Sequence, residues 1–122
     1  TQDERSACFS LVLCDFVPFG VGDFTELLYN AIGLEFDKES YLKTGERIWN
    51  LTRMFNVREG ISRKDDTLPP RIMEEEAPIG PAKGLKITQE ILDKMLDEYY
   101  TLRGWDKNGI PTQDKLKELG II

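Results

Sequence analysis

The chain has 122 residues, of which 40% are hydrophobic, so it can bury one core of modest size. Sixteen basic and 22 acidic side chains give a net charge of −6, which argues against a nucleic-acid partner because phosphates require a basic face. Histidine is absent, which disfavours a self-contained hydrolase and a zinc enzyme.

Membrane association is not indicated by the pattern of hydrophobic residues. No apolar run approaches the ~18–20 residues that are needed to cross a bilayer, and no charged-then-apolar leader is present at the start. We therefore expect a soluble, cytoplasmic protein with no membrane partner.

The first half of the chain predicts three helices. The first spans roughly 3–17 and stops before Pro18. The second follows Asp23 as N-cap, with Glu26 as its capping-box partner, and ends at Gly33. The third follows Asp37 and runs to Gly60. Gly45, inside this third helix, marks either a close approach of two helices or a tolerated accident.

Residues 61–87 are rich in proline and predict a long irregular segment. Such a segment is uncommon in a compact domain unless it packs over something or is functional. Wrapping against another domain and a mobile surface loop both remain open. The run of glutamates at 74–76 is interpreted as a solvated acidic turn rather than a cation site.

Two further helices complete the prediction. One follows Thr88 as N-cap and ends at Gly104; the other spans 112–119 and stops at Gly120. The first of these carries an amphipathic stripe of six side chains: Ile91, Leu92, Met95, Leu96, Tyr99 and Leu102. With no strand pattern anywhere, the fold class is all-α and multihelical, with about five helices.

The turn at 104–115 does not match the pattern of a calcium-binding loop. With Gly109 at the sixth position of such a loop, Gly104 occupies the first and Lys115 the twelfth, where a bidentate glutamate is needed. We therefore interpret Asn108–Gly109 as a helix–helix turn in which a residue takes a positive φ. Trp49 and Trp105 are predicted to be core or interface anchors.

The two cysteines, Cys8 and Cys14, are too few for a disulfide framework. On one helix over 5–16 their thiols would point roughly 120° apart, so they could not jointly bind one metal from one face. Cys8 is predicted to pack in the core. Cys14 is either a small buried apolar side chain or a group that reaches toward something outside the chain.

A family resemblance bears on Cys14. It is carried by five blocks that occur in the family's order and spacing and span nearly the whole chain: SLVLC at 10–14, GERIWNLTRMFNVREG at 45–60, RKDDTLPPR at 63–71, GPAKG at 80–84 and LDEYYTLRGWDKNGIPTQDKLKELG at 96–120. Together they strongly resemble the C-terminal region of tungsten-containing aldehyde:ferredoxin oxidoreductases. Residues 1–122 would then be a C-terminal helical domain, a fragment of a larger enzyme.

The resemblance implies a chemistry. In this family a tungsten (or molybdenum) ion is held by two pterin dithiolenes, and a neighbouring [4Fe–4S] cluster passes electrons to ferredoxin. An aldehyde is oxidised to a carboxylic acid at the metal. The partners implied are upstream domains of the same chain, ferredoxin and the aldehyde. No catalytic residue is assigned to this chain, because those residues, and both cofactors' remaining ligands, are expected upstream.

The same resemblance assigns two site residues. Three cluster cysteines lie upstream in the family, and the fourth belongs to a D-x-x-G-L-C motif that aligns with this chain at residues 9–14. Cys14 is thereby expected to ligate the cluster, and Leu13 to lie against the pterin through its backbone. The motif's aspartate falls on Phe9 and its glycine on Val12, and these departures bear on pterin binding.

Two other interpretations remain open. The chain could be a helical interaction module that kept the fold and lost the cofactors, as Phe9 and Val12 suggest. It could also belong to a relative with another substrate, such as an aromatic-acid thioester reductase. For the isolated chain we expect an exposed, adhesive apolar face around Leu11, Leu13 and Cys14.

Overall fold

The computed structural model of the protein describes residues 2–14, 16 and 18–122. Its helices are α1 (Gln2–Ser10), α2 (Val21–Ile32), α3 (Lys38–Arg58), α4 (Pro70–Glu74), α5 (Gln89–Arg103) and α6 (Gln113–Glu118), with a 3₁₀ turn at Arg63–Asp65. The described residues contain no strand, only an isolated antiparallel bridge between Trp105 and Pro111. The all-α prediction is confirmed. The helix that the sequence did not predict is α4, a single turn within the proline-rich segment.

The chain divides into two compact units. Unit 1 comprises Thr1–Phe55 together with Gln113–Ile122, and unit 2 comprises Asn56–Thr112. The division therefore falls within α3. That residues 1–122 form one C-terminal domain stays a prediction.

The core of unit 1 is formed where α1 meets α2 and α3. Ala7 and Cys8 of α1, Phe24 of α2 and Tyr41 of α3 are buried together. The Phe24 and Tyr41 rings are stacked, with centroids 5.9 Å apart. The prediction that Cys8 packs in the core is confirmed, because its side chain is fully buried.

Gly45 is a point of close approach between α1 and α3. A Cβ atom added to Gly45 would lie 1.7 Å from the backbone oxygen of Asp3. Only glycine allows the two backbones to come this close, so the prediction of close helix–helix approach is confirmed.

The last helix of the chain completes unit 1. Leu116 of α6 and Leu119 just beyond it are buried, and the Arg47 Nε of α3 donates a hydrogen bond to the Leu119 carbonyl at 2.7 Å. Lys115 pairs with Glu118 at 2.9 Å and with Glu46 at 3.2 Å. The hydrogen bonds that Lys115 donates to Glu118 and Glu46 raise the pKa of Lys115.

Unit 2 is organised around α5 and the turn that follows it. Thr88 caps the helix by accepting a hydrogen bond from the Ile91 amide, and Gly104 ends it in a left-handed conformation, both as predicted. Trp105 is buried against Tyr99 and Tyr100, with ring centroids 5.5 and 5.9 Å away. Gly109 supplies the predicted positive φ, here 75°.

One arginine fastens the proline-rich segment to α5. The Arg63 guanidinium contacts the Asp97 carboxylate at 2.5 Å and the Asp93 carboxylate at 3.4 Å. Its Nη2 also donates to the Asp93 carbonyl at 3.1 Å. Next to it, the Tyr100 hydroxyl donates a short hydrogen bond to Asp66. The segment is largely irregular, as predicted, but its beginning is fixed to the helix.

Two predicted helix boundaries were wrong. The first helix ends at Ser10 rather than near residue 17; positions 15 and 17 of that prediction lie outside the described residues. The second helix begins at Val21, so Asp23 is its third residue rather than the N-cap. The Asp23 carboxylate accepts a hydrogen bond from the Gly20 amide at 2.7 Å. No helix among the described residues is both long and apolar enough to cross a membrane.

Candidate metal-ligand site

The segment that carries Leu13 and Cys14 begins where α1 stops. The Leu11 amide donates to the Cys8 carbonyl at 3.1 Å and the Val12 amide to the Phe9 carbonyl at 3.0 Å, which closes the helix in a tight turn. Val12 then adopts a φ of +59°. This left-handed conformation redirects the chain, so Cys14 follows the helix in irregular structure and does not lie on it. The prediction that Cys14 lies on the first helix, over roughly 3–17, was therefore wrong.

The two cysteines are in opposite environments. Cys8 is 0% exposed, whereas Cys14 is exposed and Leu13 retains 37% of its accessible surface. A buried thiol in an apolar core is unavailable as a ligand, while an exposed thiol is accessible to a group outside the chain. Cys14 is therefore not buried by the described residues of this chain, and its role as a group that reaches outside the chain stays a prediction.

Large apolar side chains lie around Cys14 in the sequence and are unusually exposed. Val12 and Phe16 are almost fully exposed, Phe16 at 95%, and Phe9 and Phe19 are about half exposed. We call Phe9, Val12, Leu13, Cys14 and Phe16 the Cys14 surface. The predicted exposed apolar face is present, but Leu11 belongs to it least, because Leu11 is partly buried against the unit 1 core.

Phe9 also lines a hollow of about 240 Å³ on unit 1, together with Gln2, Arg5, Ser6 and Trp49. Its phenyl group has no hydrogen-bonding atom, so position 9 cannot give a cofactor the polar contact that an aspartate would give. Trp49 is partly buried here rather than a core residue.

The donor set was tested against an iron–sulfur cluster. Such clusters are held by cysteine thiolates, and the exposed Cys14 supplies one ligand of the required kind. No group of three or more cysteine, aspartate or glutamate side chains in the described part of the chain could hold a metal ion. The described residues could therefore supply one ligand of such a cluster, and its other ligands would have to come from outside them.

Two structural features that bear on function were not predicted from the sequence. The first is the left-handed backbone at Val12, for which the glycine of the D-x-x-G-L-C motif was the available signal. The second is a large hollow within residues 71–87, described below. The hollow has no local sequence signal, because backbone hydrogen bonds between residues far apart in the segment create it.

Fold and site together define a class of protein: a helical module with one exposed thiol, at Cys14, among exposed apolar side chains. The comparisons with known proteins give the family. The model of "Aldehyde ferredoxin oxidoreductase, domains 2 & 3" matches residues 1–121. The chain therefore belongs to the aldehyde ferredoxin oxidoreductase family.

Two relatives illustrate the range of that family. A tungsten-containing aldehyde ferredoxin oxidoreductase of Pyrococcus abyssi is 48% identical over 98% of this chain and 20% of its own length. An aliphatic sulfonate oxidoreductase, WOR-like subunit, of Pyrococcus furiosus is 35% identical over 92% of this chain and 19% of its own length. The chain thus spans about a fifth of the length of the curated relatives it matches.

A solved structure shares the fold. The active site complex BamBC of benzoyl coenzyme A reductase, in complex with 1,5 dienoyl-CoA, superposes with a TM-score of 0.68 at 30% identity. The match covers 85% of this chain and 14% of that chain. The helical arrangement is therefore found in proteins described by different substrates.

Proposed function

We propose that this chain is the C-terminal helical part of a tungsten- or molybdenum-pterin oxidoreductase that oxidises aldehydes to carboxylic acids and passes electrons to ferredoxin. The observation that carries the proposal is the exposure of Cys14, at the position of the family's motif cysteine, while Cys8 is fully buried. A [4Fe–4S] cluster bound at Cys14 would supply a one-electron relay between the pterin-bound metal and ferredoxin.

The chain's own residues have distinct tasks under this proposal. Cys14 gives one thiolate to the cluster, and the left-handed turn at Val12 directs it away from the α1 helix. Leu13 lies against the pterin through its backbone. Phe9 and Phe16, exposed and close to Cys14 in the sequence, supply apolar surface that would exclude water once covered, and such burial tunes a cluster's potential.

Phe9 distinguishes this chain from the motif's usual pattern. The carboxylate that the motif places at position 9 is missing, so a pterin bound here depends on other residues for that contact. We propose that the cluster half of the site is retained and that the pterin half is altered.

The test compares two cysteines in the full-length protein, prepared without oxygen. Cys14→Ala is expected to lower cluster iron and the cluster's EPR signal by at least about tenfold, because loss of a first ligand exceeds the 10–100-fold effect known for outer-shell groups. Cys8→Ala, the matched control, removes a thiol from the core and should leave the iron content unchanged. Equal iron and activity after Cys14→Ala would remove Cys14 from the mechanism.

A second candidate activity is reduction of an aromatic-acid thioester. The similarity to the benzoyl coenzyme A reductase complex favours it, since that complex was solved with a dienoyl-CoA. Assays of the full-length protein with aldehydes and with benzoyl thioesters, using a viologen dye, separate the two. A full-length protein that stays free of iron and pterin after anaerobic reconstitution would instead support an interaction module without cofactors.

A further inference from the structure

Residues 71–87 of unit 2 fold around a hollow that the cluster site does not use. Its volume is about 580 Å³. The apolar part of its wall comes from α4, from the turn after it and from the returning chain: Ile72, Ala77, Pro78, Ala82, Leu85 and Ile87. A hollow of this size is within the range of sites that bind ligands or anchor side chains.

The hollow is held open by backbone hydrogen bonds. The Ala77 amide donates to the Leu85 carbonyl and the Gly84 amide to the Ala77 carbonyl, both at 2.9 Å. The Ile87 amide donates to the Ile72 carbonyl at 3.2 Å. The loop between Ala77 and Leu85 is therefore closed at its base, in the manner of a compact Ω-loop, and the shape exists before any partner binds.

The apolar side chains that line the hollow are more exposed to solvent than is usual for a surface without a partner. Leu85 is 65% exposed and Ile72 about half exposed, although both side chains belong to the wall of the hollow. Contiguous apolar surface of this kind marks a place where something docks. A small molecule is disfavoured, because small-molecule sites bury 70–90% of their ligand and these walls remain half open.

The charged residues at the rim of the hollow indicate the chemical class of its partner. Arg71 and Lys86 are matched by Glu75 and Glu76, so the rim carries no net charge. Arg71 already contacts Glu75 at 3.2 Å. A ligand rich in phosphates would need unmatched cations. An apolar centre with a neutral polar rim is instead the composition of an interface between folded polypeptides.

We infer that the hollow receives one or two large apolar side chains from a segment of the parent polypeptide outside residues 1–122. About four fifths of the length of the matched relatives lies outside the region that this chain covers, which provides such a segment. The inference rests on the proposed function only in requiring that longer parent. It makes the proline-rich segment a receptor for another domain, where the sequence left wrapping and a mobile loop open.

The test uses a photo-crosslinking amino acid, p-benzoylphenylalanine, in the full-length protein. Placed at Leu85 it should crosslink within the same polypeptide to a single peptide outside residues 1–122. Placed at Ile79, which is 81% exposed in the same loop but does not line the hollow, it should not. Crosslinks to a second copy, only within residues 1–122, or at equal yield from both positions would overturn the inference.

A second measurement does not depend on crosslinking chemistry. Leu85→Asp should speed hydrogen exchange of the peptides covering 72–87 about tenfold in the full-length protein, because a docked leucine contributes enough free energy for at least that factor. Ile79→Asp should leave exchange unchanged, and equal effects of both variants would contradict the docking. Iron content separates this inference from the proposed function. An iron-free parent with the crosslink refutes only the cluster, and an iron-loaded parent without it refutes only the docking.

Discussion

Val12 is a β-branched residue in a backbone conformation that disfavours β-branched side chains. Its φ of +59° lies in the left-handed region, where a β-branched residue is disfavoured by contact between its Cβ and the neighbouring carbonyl. The family motif has glycine at this position, and glycine adopts this conformation without that contact. The backbone turn that precedes Cys14 thus explains the motif's glycine.

Replacing Val12 with glycine should stabilise the protein by about 1 kcal/mol, because the steric cost of the left-handed conformation is removed. Chemical denaturation monitored by far-UV circular dichroism measures the change. Val12→Ala is the matched control, since it removes the branch but keeps the Cβ, and it should recover only part of the gain. A destabilised glycine variant would show that the positive φ does not persist in solution.

Tyr41 carries a polar group that the core leaves unsatisfied. No described residue forms a hydrogen bond with its buried hydroxyl. Burial, with smaller contributions from Cys8 and Glu4, raises the pKa of Tyr41 to about 12. The folded state therefore favours the neutral phenol, and this contribution to stability is complete below the ordinary pKa near 10 and is lost as pH rises toward 12.

Tyr41→Phe should stabilise unit 1 by about 1 kcal/mol at neutral pH, because a buried donor without a partner is removed. It should also abolish the part of the alkaline loss of stability between pH 10 and 12 that comes from this phenol. Denaturation midpoints measured across that range provide the check. Tyr29→Phe alters a half-exposed ring and should change neither quantity.

At the scale of helices, the packing of α1 on α3 depends on the lack of a side chain at Gly45. Gly45 brings the α3 backbone against Asp3 of α1, and the Phe24–Tyr41 stack joins α2 to the same helix α3. Leu13 and Cys14 follow shortly after the end of α1 at Ser10, so the position of α1 determines where the thiol is presented.

Gly45→Ala should destabilise unit 1 by about 3 kcal/mol, since its Cβ would overlap a backbone oxygen that cannot move aside like a side chain. Gly22→Ala is the matched control within α2, where nothing lies within 4 Å of the added atom. That control should be neutral or stabilising by up to about 1 kcal/mol. Thermal unfolding of both variants decides the matter, and equal melting temperatures would refute the close approach.

The helices that could be predicted are those whose ends are encoded locally. Thr88 and Gly104 bracket α5 because a hydroxyl N-cap and a left-handed glycine act on adjacent backbone. The end of α1 could not be predicted, since nothing in the type of residue 12 favours a positive φ. Asp23 was wrongly predicted to be the N-cap. An aspartate can accept a hydrogen bond from a backbone amide at the helix start either as the N-cap or, as here, as the third helical residue.

Burial was harder to predict than helix type. The stripe on α5 was recognised as apolar, yet only Leu92 of its six side chains is buried, and Met95 and Leu102 are exposed. Periodicity identifies which face is apolar but not what covers it. For Cys14 the family motif supplied the assignment, while composition alone favoured a buried side chain.

At the scale of the whole molecule, unit 1 is assembled from two distant stretches of chain. Residues 113–122 pack into it through Leu116 and Leu119, and both Arg47 and Glu46 of α3 bind this stretch. The stability of the unit that carries Cys14 is therefore tied to residues about a hundred positions away.

Leu119→Ala should destabilise unit 1 by roughly 3 kcal/mol, the usual result of emptying a fully buried leucine site. Leu102→Ala, at a leucine that is almost fully exposed, should cost less than about 0.5 kcal/mol. Denaturant titration followed by tryptophan fluorescence compares them. Similar losses in the two variants would show that residues 113–122 do not hold unit 1 together.

Unit 1 contains residues from both ends of the chain, so its synthesis is completed only after unit 2 has been synthesised. Residues 56–112 are synthesised before α6, so the sequence of unit 2 is complete while unit 1 still lacks Leu116 and Leu119. The thiol at position 14 is made early, yet the unit that presents it is finished late. Under the proposed function, a metal bound at that thiol would therefore be incorporated after residues 113–122 have been translated.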